Sequence, residues 1–457
     1  MVEETTQIRN LSSDDLWLKI INEGIEDRVE VNQRMLIDKM LARYSSDFVV
    51  YRELIQNSDD AHATSFILQI KCDLNSNKNS NESNSYLEDM EQIMNNKFGI
   101  NQTSSLSEND FHNCLINEIR TINNGNIFNE DDWKRVITIA EGNTNIDAVG
   151  QFGVGFFSVF SYSEKPMIQS GNHCLAFAWQ NGKSLTTFRK ELSLHEQSSS
   201  TSVILPMKTK YILQTKSILD NKSNKDQIKP IFNLIQLKAY LTKVLSFTRH
   251  INEIIIQINN VKIFQVNKIK KPLLSKNLKS NNQQNFLNFK LFTQTEQTFN
   301  IMNGPSITLN HIDVESEVKI DDELHKKIEN VLKKRLPSII HIELLFPSNQ
   351  ILEKEQWNIL TNNQILKDLI PLKYSQEKYS PSGQIFIGLG THQSTGVGMH
   401  IYSHLIPTIE RENIDIQDPY ISIWNEQLLK SIGYIIRLIY DQTMLDAINN
   451  HLQHLNA

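Results

Sequence analysis

The stretch Tyr51–Ala61, YRELIQNSDDA, constrains this chain more than any other. At helical spacing Glu53, Asn57 and Asp60 or Ala61 share one face, so a carboxylate, an amide and a second carboxylate project together. Beside them Val49, Val50, Leu54 and Ile55 form an apolar stripe, which predicts a helix with one packed side and one chemical side. The uncharged Asn57 oxygen suits a Mg²⁺ that keeps most of its waters and takes its other ligands from phosphates. Glu53, one turn earlier, suits accepting a proton from a water aligned on a terminal phosphate. Asp60 suits accepting from an exocyclic amine or holding an ordered water. An isolated E-x-x-x-N is more often a solvated polar face, so the other motifs decide.

Composition sets the outer limits. The 457 residues are 39% hydrophobic and 21% charged, as in a globular chain with room for two or three domains. A net charge of -6 offers no general attraction to nucleic acid or anionic membrane. Cys72, Cys114 and Cys174 are scattered and form no C-x-x-C, which fits a reducing compartment and excludes an all-cysteine zinc site. The N-terminus is polar, and no apolar run approaches the ~20 residues of a membrane span, so a cytosolic or nuclear protein without membrane partners is expected.

In chain order, a helix is expected to start at Ser12–Asp15, with Ser12 or Ser13 as its cap, and to run through Ile25. A second spans Val29–Arg43, with Val31, Met35, Leu36, Met40 and Leu41 as its apolar stripe. Ser65–Lys71 reads as a partly buried strand. Residues 73–108 are rich in Asn and Ser and read as a disordered insertion. Glu118–Ile122 predicts a strand ending in the turn Asn123-Asn124-Gly125, followed by a helix from Asp131 to Ala140.

The second strong feature is VGQFGVGFFS, where Gly150, Gly153 and Gly155 precede a buried helical run through Tyr162. Glycines before a helix N-terminus let backbone amides close on phosphate oxygens. Three other patterns fail on their own residues. Gly182-Lys183-Ser184 lacks the earlier glycine of a P-loop, since Phe177 stands there. The Gly388–Gly398 run has Gln393 at the last glycine position of a dinucleotide fingerprint. His400 and His404 have metalloprotease spacing, but Ile401 replaces the needed glutamate and the segment reads as strand.

Glu53, Asn57, Asp60, the Asn123–Gly125 turn and the Gly150–Gly155 loop resemble, in order, the motifs of the GHKL ATPases, the superfamily of gyrase, the ninety-kilodalton heat-shock chaperone, histidine kinases and MutL. ELIQNSDDA and VGQFGVGFFS are most similar to the chaperone branch, and STSVILPMK at Ser200–Lys208 resembles its strand whose threonine, here Thr201, reaches the base. The resemblance covers Val29–Lys208. It implies an α/β (α+β) Bergerat sandwich binding ATP and Mg²⁺, with Glu53 as general base and Asn57 as magnesium ligand. Ala61, Phe128 and Phe156 would pack near the adenine, while Gly150, Gln151, Phe152, Gly153, Val154 and Gly155 would form lid hinge and phosphate cradle. The family's Asp-x-Gly-x-Gly is here Asn123-Asn124-Gly125-Asn126-Ile127, so an amide replaces the adenine-binding acid; its oxygen would accept more weakly. This version is closer to the sacsin and No-vein relatives and to related fungal proteins.

Beyond it, Ile231–Arg249 predicts an amphipathic helix and Glu253–Val266 a strand pair about Asn259-Asn260. The expected organisation is an N-terminal helical segment (1–28), the nucleotide domain (29–268), a basic Asn-rich linker (269–285) and a second α/β domain (286–457) resembling a chaperone middle domain. That domain should hold strands at Phe286–Phe292, Ile339–Phe346, Gln384–Leu389 and Val397–Leu405, with helices at Asp321–Arg335 and Trp424–His454. Within it Arg411 matches the arginine that reaches the terminal phosphate, with pairing to Glu410 or Glu412 as the structural alternative. The expected function is ATP binding with slow hydrolysis and lid closure coupled to the second domain, serving a protein client; a non-hydrolysing nucleotide-binding scaffold is the alternative. The C-terminal helix suits packing on its own domain and carries enough apolar surface for a homodimer. No helical phosphoacceptor segment precedes the nucleotide motifs, against a histidine kinase, and no basic surface favours nucleic acid.

Overall fold

The structure, a computed structural model, describes residues 13–23, 25, 31–42, 48–73, 107–139, 155–215, 231–278, 286–332, 334–348, 354–375, 378–408 and 413–455. Most of the predicted insertion at 73–108, the glycines before Gly155, and Arg411 lie outside the described residues.

Three helices come first: α1 (Ser13–Glu23), α2 (Gln33–Leu41) and α3 (Val49–Asp60). The Asn32 side chain caps α2 by accepting from the Met35 N–H. The expected α2 stripe is only partly right. Ile37 is its buried residue, while Met35 is 55% exposed, because the cap sets the helix to present Ile37, Met40 and Leu41 inward. In α3 the apolar stripe and the polar face are both buried through Ser58, except for Asn57.

The strands follow as β1 (Ser65–Asp73), β2 (Leu115–Asn123), β3 (Met167–Gly171), β4 (His173–Gln180), β5 (Ser184–Glu191), β6 (Ser198–Gln214) and β7 (Ile231–Asn233). Helix α4 (Glu130–Ile137) enters after β2, closed by an Asn129–Asp132 capping box, and a 3₁₀ segment at Gly155–Ser161 leads to β3. The helix expected from Ile231 begins only at Leu234. Residues 231–233 pair with β6, and Asn233 caps α5 (Leu234–Val244).

Next come β8 (Glu253–Ile258) and β9 (Val261–Asn277), joined by Asn259 and Asn260 at φ 46° and 67°, as a tight hairpin turn requires. Then follow β10 (Leu287–Ile301), β11 (Ser306–Val318), α6 (Asp322–Leu332), β12 (Ile339–Pro347) and α7 (Lys354–Asn362). The last are β13 (Leu372–Ser375), β14 (Lys378–Pro381), β15 (Gln384–Ile387), β16 (Leu389–Ser394), β17 (His400–Ser403) and α8 (Pro419–Leu455).

The chain is α/β. One mixed sheet runs β16-β15-β17-β12-β11-β10-β9-β8-β1-β2-β6-β3-β4-β5, with β7 against β6. β1 runs parallel to β8, and β15 to β17; most other neighbours are antiparallel. Period-two burial along β1 and β8 puts Phe66, Leu68, Ile70, Ile254, Ile256 and Ile258 under Leu54 and Ile55 of α3. In the second half Ile312, Val314, Ile342 and Leu344 pack with Trp424, Leu428, Ile432 and Ile435, a helical stripe on α8.

The linker expected at 269–285 is corrected over its first nine residues. Residues 269–277 continue β9 and pair with β10, so the sheet passes through the expected boundary without a break. The misleading signal was solvation: β8 covers β9 only opposite 261–267, leaving Lys270, Lys271 and Lys276 on an exposed strand ordered by its backbone bonds. The core ignores the boundary as well, since Phe247 sits with its ring centroid 4.6 Å from that of Phe386.

No helix among the described residues is long and apolar enough to cross a membrane.

Candidate functional site

Burial of a carboxylate needs compensation, and α3 supplies it locally. Glu53 is 2% exposed; its Oε1 accepts from Arg52 Nη2 at 3.1 Å in a buried pair. Its other oxygen lies against the start of the 3₁₀ segment. A Cβ on Gly155 would stand 2.0 Å from Glu53 Oε2, so any side chain there would push the buried carboxylate aside. Two motifs about a hundred residues apart in sequence therefore touch.

They border a cavity of about 410 Å³, within the size range of ligand pockets. Around it the structure places Glu53, Asn57, Asp60, Ala61, Asn123, Phe128, Gly155, Phe156 and Thr201, all named from the sequence. Asn57 is the exposed residue on the otherwise buried α3 face, so its amide is presented to the cavity and fits a hydrated cation better than a dry one. Gly125 lies behind the wall: a Cβ there would come 2.6 Å from the Ala61 carbonyl oxygen, which accepts from Asn126 N–H at 2.8 Å. Gly150, Gln151, Phe152, Gly153, Val154 and Arg411 lie outside the described residues.

The floor is built by strand register. Asn123 of β2 pairs with Thr201 of β6, which pairs with Ser170 of β3, and two residues along the same face stand Thr121, Val203 and Ile168. The first rung is polar. Thr201 is buried, its hydroxyl 2.6 Å from that of Ser170, and Ser170 Oγ accepts from Phe128 N–H at 2.9 Å. Asn123 Oδ1 accepts from Gly125 N–H at 3.1 Å, which fixes the amide orientation because that partner can only donate. The same oxygen thereby closes an Asx turn and keeps a second lone pair. Asn124, beside it, ties the end of β2 to the start of β1, its Oδ1 accepting from Thr64 and Ser65 N–H at 2.9 Å.

Several residues escaped the sequence reading. Asn126, Asn129, Asp132 and Arg135 also line the cavity, and Arg135 pairs with Asp132 on α4. The capping box was the available signal, since Asn129 and Asp132 form it at the helix start and both line the cavity. Asp59 was passed over in favour of Asp60. Its carboxylate accepts from the N–H groups of Arg249, His250 and Ile251 at 2.8–2.9 Å, clamping the loop before β8 to α3.

From that loop the Arg249 guanidinium reaches Tyr402 Oη at 3.1 Å and lies 3.4 Å from His404 Nε2. Tyr402 and the charges of Glu343 and Asp60 raise its pKa above the usual value. Of the histidine pair with metalloprotease spacing, His400 sits on β17 and His404 just beyond its end. His400 accepts from Gln384 N–H at 3.1 Å and donates to the Leu369 carbonyl at 3.2 Å, so both ring nitrogens are engaged by protein. Burial, with Lys243 adding, lowers its pKa to about 3; burial and Arg249 do the same for His404, also to about 3.

No curated protein matches the chain. The model of one family, described as a protein of unknown function (DUF3684), matches residues 177–457, beginning within β4 and ending with α8. The α3 helix lies N-terminal to that match, while Thr201 and Val203 of the cavity floor and the whole second half fall inside it. Because the match covers more than half of its length, the chain belongs to the DUF3684 family.

Proposed function

We propose that the cavity binds a nucleoside triphosphate with Mg²⁺ and hydrolyses it slowly, in the manner of the GHKL ATPases that the motifs resemble. The observation carrying this reading is the contact of Glu53 with Gly155 at the edge of one cavity whose floor holds Asn123 and Thr201. Asn57 would hold the metal through its waters and the phosphates. Glu53 would take a proton from the attacking water through Oε2, the oxygen that faces Gly155 rather than Arg52. ATP is the nucleotide the resemblance implies.

Nucleotide occupancy has a physical route to the second half. Asp60, Ala61 and His62 line the cavity, Asp59 next to them holds the 249–251 backbone, and Arg249 bonds to Tyr402 on β17. A shift at the end of α3 would load that chain of bonds, so closure over nucleotide is coupled to what the second half offers a protein client.

One observation favours a second reading, a nucleotide-binding scaffold without turnover. The Arg52 guanidinium bonded to Glu53 draws on the charge a general base needs. Glu53→Ala separates the two. Hydrolysis predicts loss of phosphate release with nucleotide affinity kept within about threefold, since a residue acting only in the chemical step adds little to binding. Turnover unchanged in the variant removes Glu53 from the mechanism, and no turnover in the parent protein favours the scaffold.

A further inference from the structure

A second cavity, of about 490 Å³, lies between α5 and the short 3₁₀ turn Lys367–Leu369, and its size is that of a ligand pocket. Both walls follow from local periodicity. On α5 the residues Leu234, Leu237, Leu241 and Val244 are buried in the core, which leaves Gln236, Tyr240 and Lys243, spaced by four and three, on the face that lines the cavity. Across from them Leu366 and Leu369, one 3₁₀ turn apart, are buried, so Lys367 and Asp368 between them line the cavity instead. Phe48, directly before α3, adds an apolar wall, its ring centroid 5.3 Å from that of Tyr240.

Charge sets this cavity apart. Elsewhere on α5 the buried Lys238 has the usual compensation, its Nζ 2.5 Å from a Glu108 carboxylate oxygen. Lys243 lacks it. Its Nζ donates to the side-chain oxygen of Gln384, a neutral partner, and among the described residues no carboxylate pairs with it. Lys367 makes no side-chain bond among the described residues either, and Asp368, on the same wall, pairs with neither lysine. Burial lowers the pKa of Lys243, opposed by Asp368 and reinforced by Lys373. An ammonium drawn out of water without a counter-ion, and with N–H groups still to donate, is the half of an ion pair that a ligand completes.

We propose that this cavity is a second binding site, for a small organic anion whose phosphate or carboxylate head accepts from Lys243 and Lys367 and whose flat apolar body lies on Phe48 and Tyr240. Lysine acts as a compact point charge with freely turning donors, so it suits either head group. No residue lines both this cavity and the nucleotide cavity. The two meet only through α3. Phe48 leads into that helix, and Tyr240, whose pKa burial raises, also feels the charges of Arg52 and Glu53, so an occupant here bears on the start of the helix that carries Glu53.

The test is an equilibrium titration of the full chain, followed by NMR, with phenyl phosphate and benzoate as complete probes and with inorganic phosphate and phenol as head and body alone. Parent protein, Lys243→Gln and Lys367→Gln are compared. Phenyl phosphate or benzoate should saturate the parent about tenfold or more tighter than inorganic phosphate or phenol, because head and body both contribute. Saturation by one of the two identifies the head group, and saturation by both supports the shared chemistry. Lys243→Gln should weaken the preferred anion about tenfold, and the exposed Lys367→Gln about threefold. The Lys243 pKa should rise when the anion binds, since a nearby negative charge favours the ammonium. No saturable binding by either complete probe, inorganic phosphate or phenol binding as tightly as the better one, or an affinity unchanged in both variants overturns the assignment. Lys367→Gln decides if Lys243→Gln does not fold. None of these outcomes depends on whether the first cavity binds a nucleotide.

Discussion

At the scale of single residues, the site depends on what is missing from Gly155. A methyl group there would sit 2.0 Å from Glu53 Oε2, and both groups are buried, so one must move. Gly155→Ala should therefore cost about 1–3 kcal/mol of stability in urea unfolding, the usual range for overpacking. In a Glu53→Ala background the same change should cost less than half as much, because the clash partner is gone. Equal costs in the two backgrounds would mean that the glycine is not shaped by the acid. The sequence made Glu53, Asn57 and Asp60 legible, because helical spacing alone puts them on one face. It could not show that Arg52 would turn inward to pair with Glu53, nor that Asp59 rather than Asp60 would clamp a distant loop. Adjacent acids at a helix end differ by a rotation of about 100° per residue, and only the partners in space tell them apart. The direction of the Asn123 amide was hidden for the same reason, since it is decided by the N–H two residues ahead.

Elements were readable where burial alternates or recurs with one period. β1 and β8 show strict alternation on their first six residues, and α8 carries its apolar stripe from Ile421 to Ile439. β9 defeated the reading in its second half because an exposed strand looks like a linker in composition; its order comes from antiparallel pairing with β10, the next strand in the chain. β11 was missed where polar residues, His311 and Ser316, fill buried positions and two buried residues follow one another at 311–312, while α2 was found but turned about its axis. The region of β17 carries a pH dependence of its own. His400 and His404 are neutral when folded, with values near 3, against about 6.5 for an unfolded histidine. Below about pH 6.5 the unfolded chain binds protons that these buried rings refuse, so stability is full above that pH and falls as pH falls. At pH 5 each ring should cost about 2 kcal/mol relative to pH 7.5, at 1.36 kcal/mol per unit. His341 works in the opposite sense. Its bond to Asp313 raises its pKa, so the stability it adds is present in acid and is lost as pH rises through the folded value. Urea unfolding at the two pH values should show the net loss in acid; equal or greater stability at pH 5 would contradict the burial of neutral imidazoles at β17.

At the scale of the whole molecule, the sheet is continuous from β16 to β5, and the predicted division at 269–285 is crossed by both a strand pair and a core. The α/β class followed from the resemblance over Val29–Lys208 and, in the second half, from strand-like runs alternating with helical ones. The continuity did not, because the parallel pairing of β1 with β8 joins segments separated by nearly two hundred residues. That pairing matters for function, since α3 enters β1 directly and the loop held by Asp59 enters β8. The cavity and the second half thus share two neighbouring strands and the Arg249–Tyr402 bond, a stiff connection through which a bound nucleotide would be felt. The proposed function rests on α3 and the start of the 3₁₀ segment at Gly155 meeting at the edge of one cavity. The most direct measurement is an equilibrium titration of the full chain with ATP, in Mg²⁺ and in excess chelator, repeated on Asn57→Ala. The account predicts saturable binding that tightens about tenfold or more with Mg²⁺, and loss of that Mg²⁺ effect in Asn57→Ala. Absence of binding, or a Mg²⁺ dependence unchanged by removal of Asn57, would contradict it.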